Sequence, residues 1–103
     1  MASRLEVLEQ MIARGVNDPF PMYGLALEYR SAGRLEDAVS AFANLRAKFP
    51  QYVPQYLMCG QILGKLGRAA DARAVLEAGI VVARAARDGH SASELEEALA
   101  GLA

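Results

Sequence analysis

The sequence contains one short stretch twice: Gly33-Arg34-Leu35-Glu36-Asp37-Ala38 returns as Gly67-Arg68-Ala69-Ala70-Asp71-Ala72. Every matched residue is displaced by the same 34 positions, so the chain carries an internal repeat. A period of about 34 residues is typical of a helix-turn-helix unit, which cannot bury its apolar face alone and must stack on copies of itself. The repeat therefore predicts an all-α fold built from stacked helical hairpins.

Composition limits the classes of function. The chain has 103 residues, of which 53% are hydrophobic, and this is enough for a single domain with an ordinary core. Eleven basic residues stand against twelve acidic ones, for a formal net charge of −1. Because phosphate binding depends on an excess of Lys and Arg, this balance argues against a nucleic-acid partner. The single cysteine, Cys59, excludes an intramolecular disulfide and is compatible with a reducing compartment.

The sequence carries no signal for export or for a membrane. Glu6 and Glu9 interrupt the apolar stretch that an export signal would need after Arg4. The run of about 18 apolar residues that a membrane span requires does not occur. We therefore expect a soluble cytoplasmic protein with no membrane partner.

Capping residues, glycines and prolines predict six helices. Ser3 and Glu6 have capping-box spacing at the start of the first helix, which Gly15 ends. Pro19 opens the second helix, which runs to about Ala32. The remaining predicted helices are Leu35 to Lys48, Pro54 to Gly67 at the latest, Ala69 to about Arg87, and a last helix that begins at a second capping box, Ser91 with Glu94.

The spacing of these residues resembles the tetratricopeptide repeat (TPR) family, whose pattern is Trp, Leu-Gly and Tyr, followed after a turn by Ala, Phe and Pro. The first copy reads Met22, Leu25, Ala26, Tyr29, Gly33, Ala38, Phe42 and Pro50. The second copy reads Tyr56, Cys59, Gly60, Leu63, Gly67, Ala72 and Leu76. Arg84 stands where the second copy would have its closing proline, so the fifth helix is expected to run on.

The resemblance implies a short right-handed superhelix in a single domain, residues 1–103. Small residues such as Ala38 are expected to let the two helices of a repeat approach closely. Shifting the first helix by 34 positions places Leu8 on Phe42, so it reads as the second half of a preceding repeat. The expected parts are a half-repeat helix at 2–15, repeats at 19–52 and 53–86, and a capping helix at 91–103.

In this family the first helix of each repeat lines a concave groove that holds a peptide or helix of a partner. The family's best-known mode clamps a terminal carboxylate with Lys, Asn and Arg, but the equivalent sites here hold Tyr23, Leu27 and Leu57. A noncatalytic adaptor, scaffold or assembly factor with an apolar anchor is therefore expected. The candidate partner-binding residues are Tyr23, Leu27, Arg30, Leu57, Gln61 and Lys65.

Two other interpretations remain open. The same apolar residues could be buried against the chain's own last helix or against a second copy in a homodimer. In the homodimer case the chain would be a self-associating structural module, with its Ala-rich terminal helices as the interface. The alternative for Arg30 and Lys65 is that they are solvated charges at helix ends, which contribute little individually. The third interpretation is an RNA-binding helical repeat or an enzyme, which the near-neutral charge and the lack of converging polar groups disfavour.

Catalytic and metal-binding patterns are weak. His90 lies beside Asp88 and Ser91, but neighbours on a turn seldom reach the geometry of a catalytic triad. Cys59 occupies a helix-packing position, and one Cys with one His cannot form a zinc site. The sequence from Gly60 to Leu66 lacks the spacing of a phosphate loop. No catalytic residue, metal or cofactor is expected.

Overall fold

A computed structural model describes residues 1–102, and within them it contains six α-helices and no strand. The all-α fold of helical hairpins is thereby confirmed. The chain divides into two compact units, Met1–Phe49 and a second unit that begins at Pro50, with three helices each. The helices are α1 (Arg4–Ala13), α2 (Pro19–Ser31) and α3 (Leu35–Lys48) in the first unit, and α4 (Pro54–Lys65), α5 (Ala69–Ala85) and α6 (Gly89–Ala100) in the second.

The repeated stretch forms the turn between the two helices of each hairpin. In the first copy Gly33 has a φ of 76°, in the left-handed region that glycine adopts without steric cost. The Arg34 Nε donates to Asp37 Oδ2 at 2.8 Å across the first turn of α3, and Ala38 is fully buried. The second copy has the same three features in Gly67 (φ 74°), the pair Arg68 and Asp71 (2.9 Å), and the fully buried Ala72. The matched residues are therefore scaffold.

In the first unit α2 packs against both α1 and α3. Ser3 and Glu6 form the predicted capping box at the start of α1, and Asp18 caps α2 by accepting a hydrogen bond from the Phe20 N–H at 2.9 Å. Leu8 is the buried residue of α1, and its Cδ1 would lie 3.6 Å from a Cβ at Gly24. A Cβ at position 24 would therefore make an ordinary contact with α1.

In the second unit α5 packs against both α4 and α6. Glycine brings these helices close together, because a Cβ at Gly60 of α4 would lie 2.5 Å from Leu76 Cδ2 of α5. The expectation that a small residue lets the two helices of a repeat approach closely is therefore confirmed at Gly60. The longer fifth helix is confirmed too, since α5 has 17 residues whereas α3, which ends before Pro50, has 14.

The predicted start of the last helix is wrong. Asp88, rather than Ser91, is the N-cap of α6, and its carboxylate accepts hydrogen bonds from the Ser91 N–H (3.0 Å) and hydroxyl (2.7 Å). Arg87 has a φ of 58°, so the chain turns sharply after α5 and the next helix begins two residues earlier than predicted. Glu94 therefore lies inside α6, and the capping box does not form.

Candidate functional site

Three of the predicted site residues share one face of α2. Tyr23, Leu27 and Arg30 lie within about 60° of each other around the helix, given 100° per residue. The Tyr23 ring contacts Phe42 edge-on, with the ring centroids 6.2 Å apart and the planes at 61°. Tyr23 and Leu27 are half-buried, and Arg30 is exposed. This α2 face combines two partly accessible apolar side chains with a cation near the end of the helix.

The other three predicted site residues share one face of α4. Leu57 is half-buried, while Gln61 and Lys65 are exposed. Gln61 also lines a shallow cleft of about 230 Å³ between α4, α5 and α6. The remaining residues of that cleft are Gly60, Gly64, Leu76, Ala98, Gly101 and Leu102. The α4 face thus pairs one apolar side chain with neutral and cationic polar groups beside an apolar cleft.

A cluster of polar contacts surrounds Tyr29, which the sequence marked only as part of the repeat pattern. The Tyr29 hydroxyl donates a 2.6 Å hydrogen bond to Glu9 Oε2 of α1, and the Arg34 guanidinium lies 4.7 Å from the centre of the ring. The hydrogen bond to the Glu9 carboxylate is the main cause that raises the pKa of the Tyr29 phenol above its ordinary value, with burial second. The cluster thus links α1, α2 and the turn before α3 through the Tyr29 side chain.

The catalytic candidates do not assemble into a site. The His90 side chain is 87% exposed, and its Nε2 lies 3.3 Å from Glu94 Oε1 one turn further along α6. Asp88 and Ser91 bond to each other in the cap of α6, which lowers the pKa of Asp88. Cys59 is 1% exposed and forms part of the core. Within residues 1–102 no three His, Cys, Asp or Glu side chains converge as metal ligands.

Known family models and solved structures identify the family of the chain. A sequence model described as the tetratricopeptide repeat matches residues 29–93. The crystal structure of a tetratricopeptide repeat domain protein from Salinibacter ruber is 34% identical, covers 80% of this chain and 92% of its own, and superimposes with a TM-score of 0.75. The chain belongs to the tetratricopeptide repeat family. A solution structure of the Salinibacter TPR domain gives the same identity and TM-score, with 80% and 83% of the two chains covered.

Another solved structure matches nearly the whole chain. The solution structure of a protein from Bordetella parapertussis is 25% identical, with a TM-score of 0.82 over 99% of this chain and 89% of its own. No curated protein matches the sequence. Within the described residues, no helix of this TPR protein is both long and apolar enough to cross a membrane.

Proposed function

We propose that this TPR protein is a noncatalytic protein-interaction module, in which the α2 face and the α4 face each bind an apolar peptide segment or helix of a partner. The observation that supports the proposal is the partial exposure of Leu27 and Leu57. Each leucine lies on a helix whose other side is packed into the core, where Ala26 and Cys59 are at most 1% exposed. A partner that covered these leucines would gain about 25 cal/mol for each Å² of apolar surface removed from water.

The cations of the two faces contribute less to the proposed binding than the leucines do. Arg30 and Lys65 are exposed cations in the last turn of α2 and of α4. Exposed ion pairs contribute about 0 to 1 kcal/mol, so these residues would orient an acidic flank of the partner while the leucines supply most of the affinity. A terminal carboxylate alone is a poor ligand for such a surface. The proposed partner is therefore an internal apolar segment, in an adaptor, scaffold or assembly role.

Site-directed photo-cross-linking in cells tests this proposal. A photoreactive phenylalanine analogue replaces Leu27 or Leu57 in turn, and the control places it at Ala43, an exposed residue of α3. We expect the same partner to be captured from positions 27 and 57 and not from position 43. Capture from position 43 alone, or from none of the three, contradicts the proposal.

Self-association is a second candidate function, and an apolar stripe on α5 favours it. Ala74, Ala78, Val81 and Ala85 are all exposed and follow each other at spacings of four, three and four, which is the pattern of a helix-pairing seam. Val81 is 69% exposed. Light scattering of the wild type and of Val81→Glu tests it: a dimer that the substitution dissociates supports self-association, and a wild-type monomer at high concentration excludes it.

A further inference from the structure

The first unit contains a cleft on the side of α2 away from Tyr23, Leu27 and Arg30. It has a volume of about 160 Å³ and is open to solvent. Its floor is the α2 row of Met22, Leu25 and Tyr29, which lies about 140° around the helix from the α2 face described above. The cleft is therefore a separate surface, and a ligand in it would leave the α2 face free.

The floor of the cleft is apolar and large enough for one side chain. Ile12 of α1 and Ala41 of α3 flank Met22 and Leu25, and no charged residue in the described part of the chain lines this end of the cleft. An enclosed apolar cavity of about 150 Å³ admits a benzene-sized group, so the whole open cleft has room for about one leucine, methionine or phenylalanine side chain. An apolar anchor of that size is what the floor can bury.

The wall formed by α3 is polar, and the equivalent wall in the second unit is not. Ser40 and Asn44 line the cleft and are exposed. Their hydroxyl and amide groups can both donate and accept hydrogen bonds, as the backbone of a bound peptide requires. The residues 34 positions later are Ala74 and Ala78, which offer no polar group. Val75 likewise stands where the first repeat has Ala41, so the second repeat lacks the polar side chains of this wall and carries a larger residue at the floor position.

At the Tyr29 end of the cleft, Asp37 is a lining residue and Glu9 lies beside the Tyr29 hydroxyl. Glu9 accepts from the Tyr29 hydroxyl, Asp37 lines the cleft, and Arg34 pairs with Asp37 at 2.8 Å. Two carboxylates thus face one guanidinium, which favours a cation on the ligand. Leu25 and Tyr29 are one turn apart, about 6 Å along α2. Side chains two positions apart on an extended peptide are separated by about 6.6 Å and point the same way.

We propose that this cleft binds an extended peptide segment of a partner that carries an apolar side chain and a lysine or arginine two residues apart. The apolar side chain occupies the space between Ile12, Leu25 and Ala41, and the cation lies at the carboxylates of Glu9 and Asp37. Ser40 and Asn44 bond to the peptide backbone. This site does not depend on the proposed role of the α2 and α4 faces.

The test is an NMR titration of the ¹⁵N-labelled full chain with the capped peptide Lys-Ala-Leu-Ala-Lys, which offers a cation two residues from leucine in either direction. Control peptides replace both lysines with glutamate or the leucine with alanine. We expect saturable shifts at the amides of residues 22–29 and 37–44, and affinity lower by roughly tenfold or more for each control peptide. Equal binding of the glutamate peptide, shifts centred on Leu57 of α4, or no binding at all would overturn the proposal.

Protein variants provide the second part of the test, and most of them introduce the residue found at the equivalent position of the second repeat. Ala41→Val fills the floor with the residue that position 75 already holds, and it should weaken binding at least about tenfold. The double variant Ser40→Ala with Asn44→Ala should also weaken binding. Because it alters only exposed side chains, it should fold even if Ala41→Val does not, and the site can still be tested. Glu9→Gln keeps an acceptor for Tyr29 but removes the charge, so it should weaken the lysine peptide selectively. Unchanged affinity in the folded variants contradicts the site.

Discussion

Gly79 of α5 lies so close to Tyr56 of α4 that a Cβ at position 79 would be only 2.5 Å from the Tyr56 Cβ. Tyr56 cannot move away easily, because its side chain is 2% exposed and its hydroxyl donates to the Pro50 carbonyl. We expect Gly79→Ala to lower the free energy of unfolding by about 1–3 kcal/mol through overpacking, although alanine favours helices more than glycine does. Urea unfolding followed by circular dichroism measures the change.

The matched control for this prediction is Gly64→Ala. Gly64 is exposed, and a Cβ there would make an ordinary 3.7 Å contact with Leu102 Cδ2. The same substitution should therefore leave stability unchanged or raise it by up to about 1 kcal/mol. If both variants lose or both gain stability, close packing at Gly79 is not the cause.

The cap of α6 should make stability depend on pH in the acid range. Hydrogen bonds from Ser91 hold the pKa of Asp88 below its ordinary value. The cap therefore favours the folded state above the unfolded pKa of about 3.9, and this contribution is lost as the pH falls through the lower folded pKa. Asp88→Asn can still cap the helix but does not titrate.

We therefore expect the wild type to be more stable than Asp88→Asn near neutral pH, with the difference shrinking once the pH falls below about 4. Thermal unfolding of both proteins over a series of pH values measures it. The other carboxylates are common to both proteins and cancel in the comparison. A stability difference between the two proteins that stays constant from about pH 6 to about pH 3 would show that the Asp88 charge does not contribute to the cap.

The hydroxyl of Tyr29 should titrate above the ordinary tyrosine value of about 10. Because the folded pKa is raised, the contribution of this group to stability is complete below about pH 10 and is lost as the pH rises through the folded pKa. A pH titration of the ¹³Cζ resonance of Tyr29 reports the value. Glu9→Gln should lower it toward the ordinary pKa, whereas Glu77→Gln, an exposed change in the other unit, should not.

Removing the same hydrogen bond should cost little stability. Tyr29→Phe keeps the ring beneath Arg34 and deletes only the hydroxyl that bonds Glu9. A typical hydrogen bond contributes about 0.5–1.5 kcal/mol, and we expect a loss in that range from urea unfolding. A loss of several times that amount would mean that the hydroxyl holds α1 in place, and no loss would mean that water replaces it fully.

The sequence predicted most helix bounds because punctuating residues stand at the ends. Gly33 and Pro50 flank α3, which spans Leu35–Lys48 as expected. The predicted start of α6 was wrong because Asp88 and Ser91 are both good N-cap residues, and Glu94 has the spacing of a capping box with Ser91. What decides between them is the left-handed backbone of Arg87, a conformation that few non-glycine residues adopt and that the sequence does not signal.

The candidate faces were predictable only as helix faces. The helical period places Tyr23, Leu27 and Arg30 together, but their degree of burial depends on neighbours such as Phe42, which contacts Tyr23 across 19 positions of sequence. The cleft above Met22 and Leu25 was not predictable at all, since its lining comes from three helices whose packing the sequence does not specify. Only the difference between Ser40 and Ala74, and between Asn44 and Ala78, hinted that the two repeats carry different chemistry on that side.

Leu27 and Leu57 are proposed to bind a partner rather than to fill the core. The most direct measurement is co-precipitation of the partner that cross-linking identified. The proteins compared are the wild type, the double variant Leu27→Glu with Leu57→Glu, and the control Ala43→Glu. Circular dichroism melting is recorded for all three. We predict that the double variant loses the partner while it keeps wild-type helicity and a cooperative transition, and that the control retains both. A double variant that unfolds would show that the leucines belong to the core, and one that folds and still binds the partner would show that they are not its binding site.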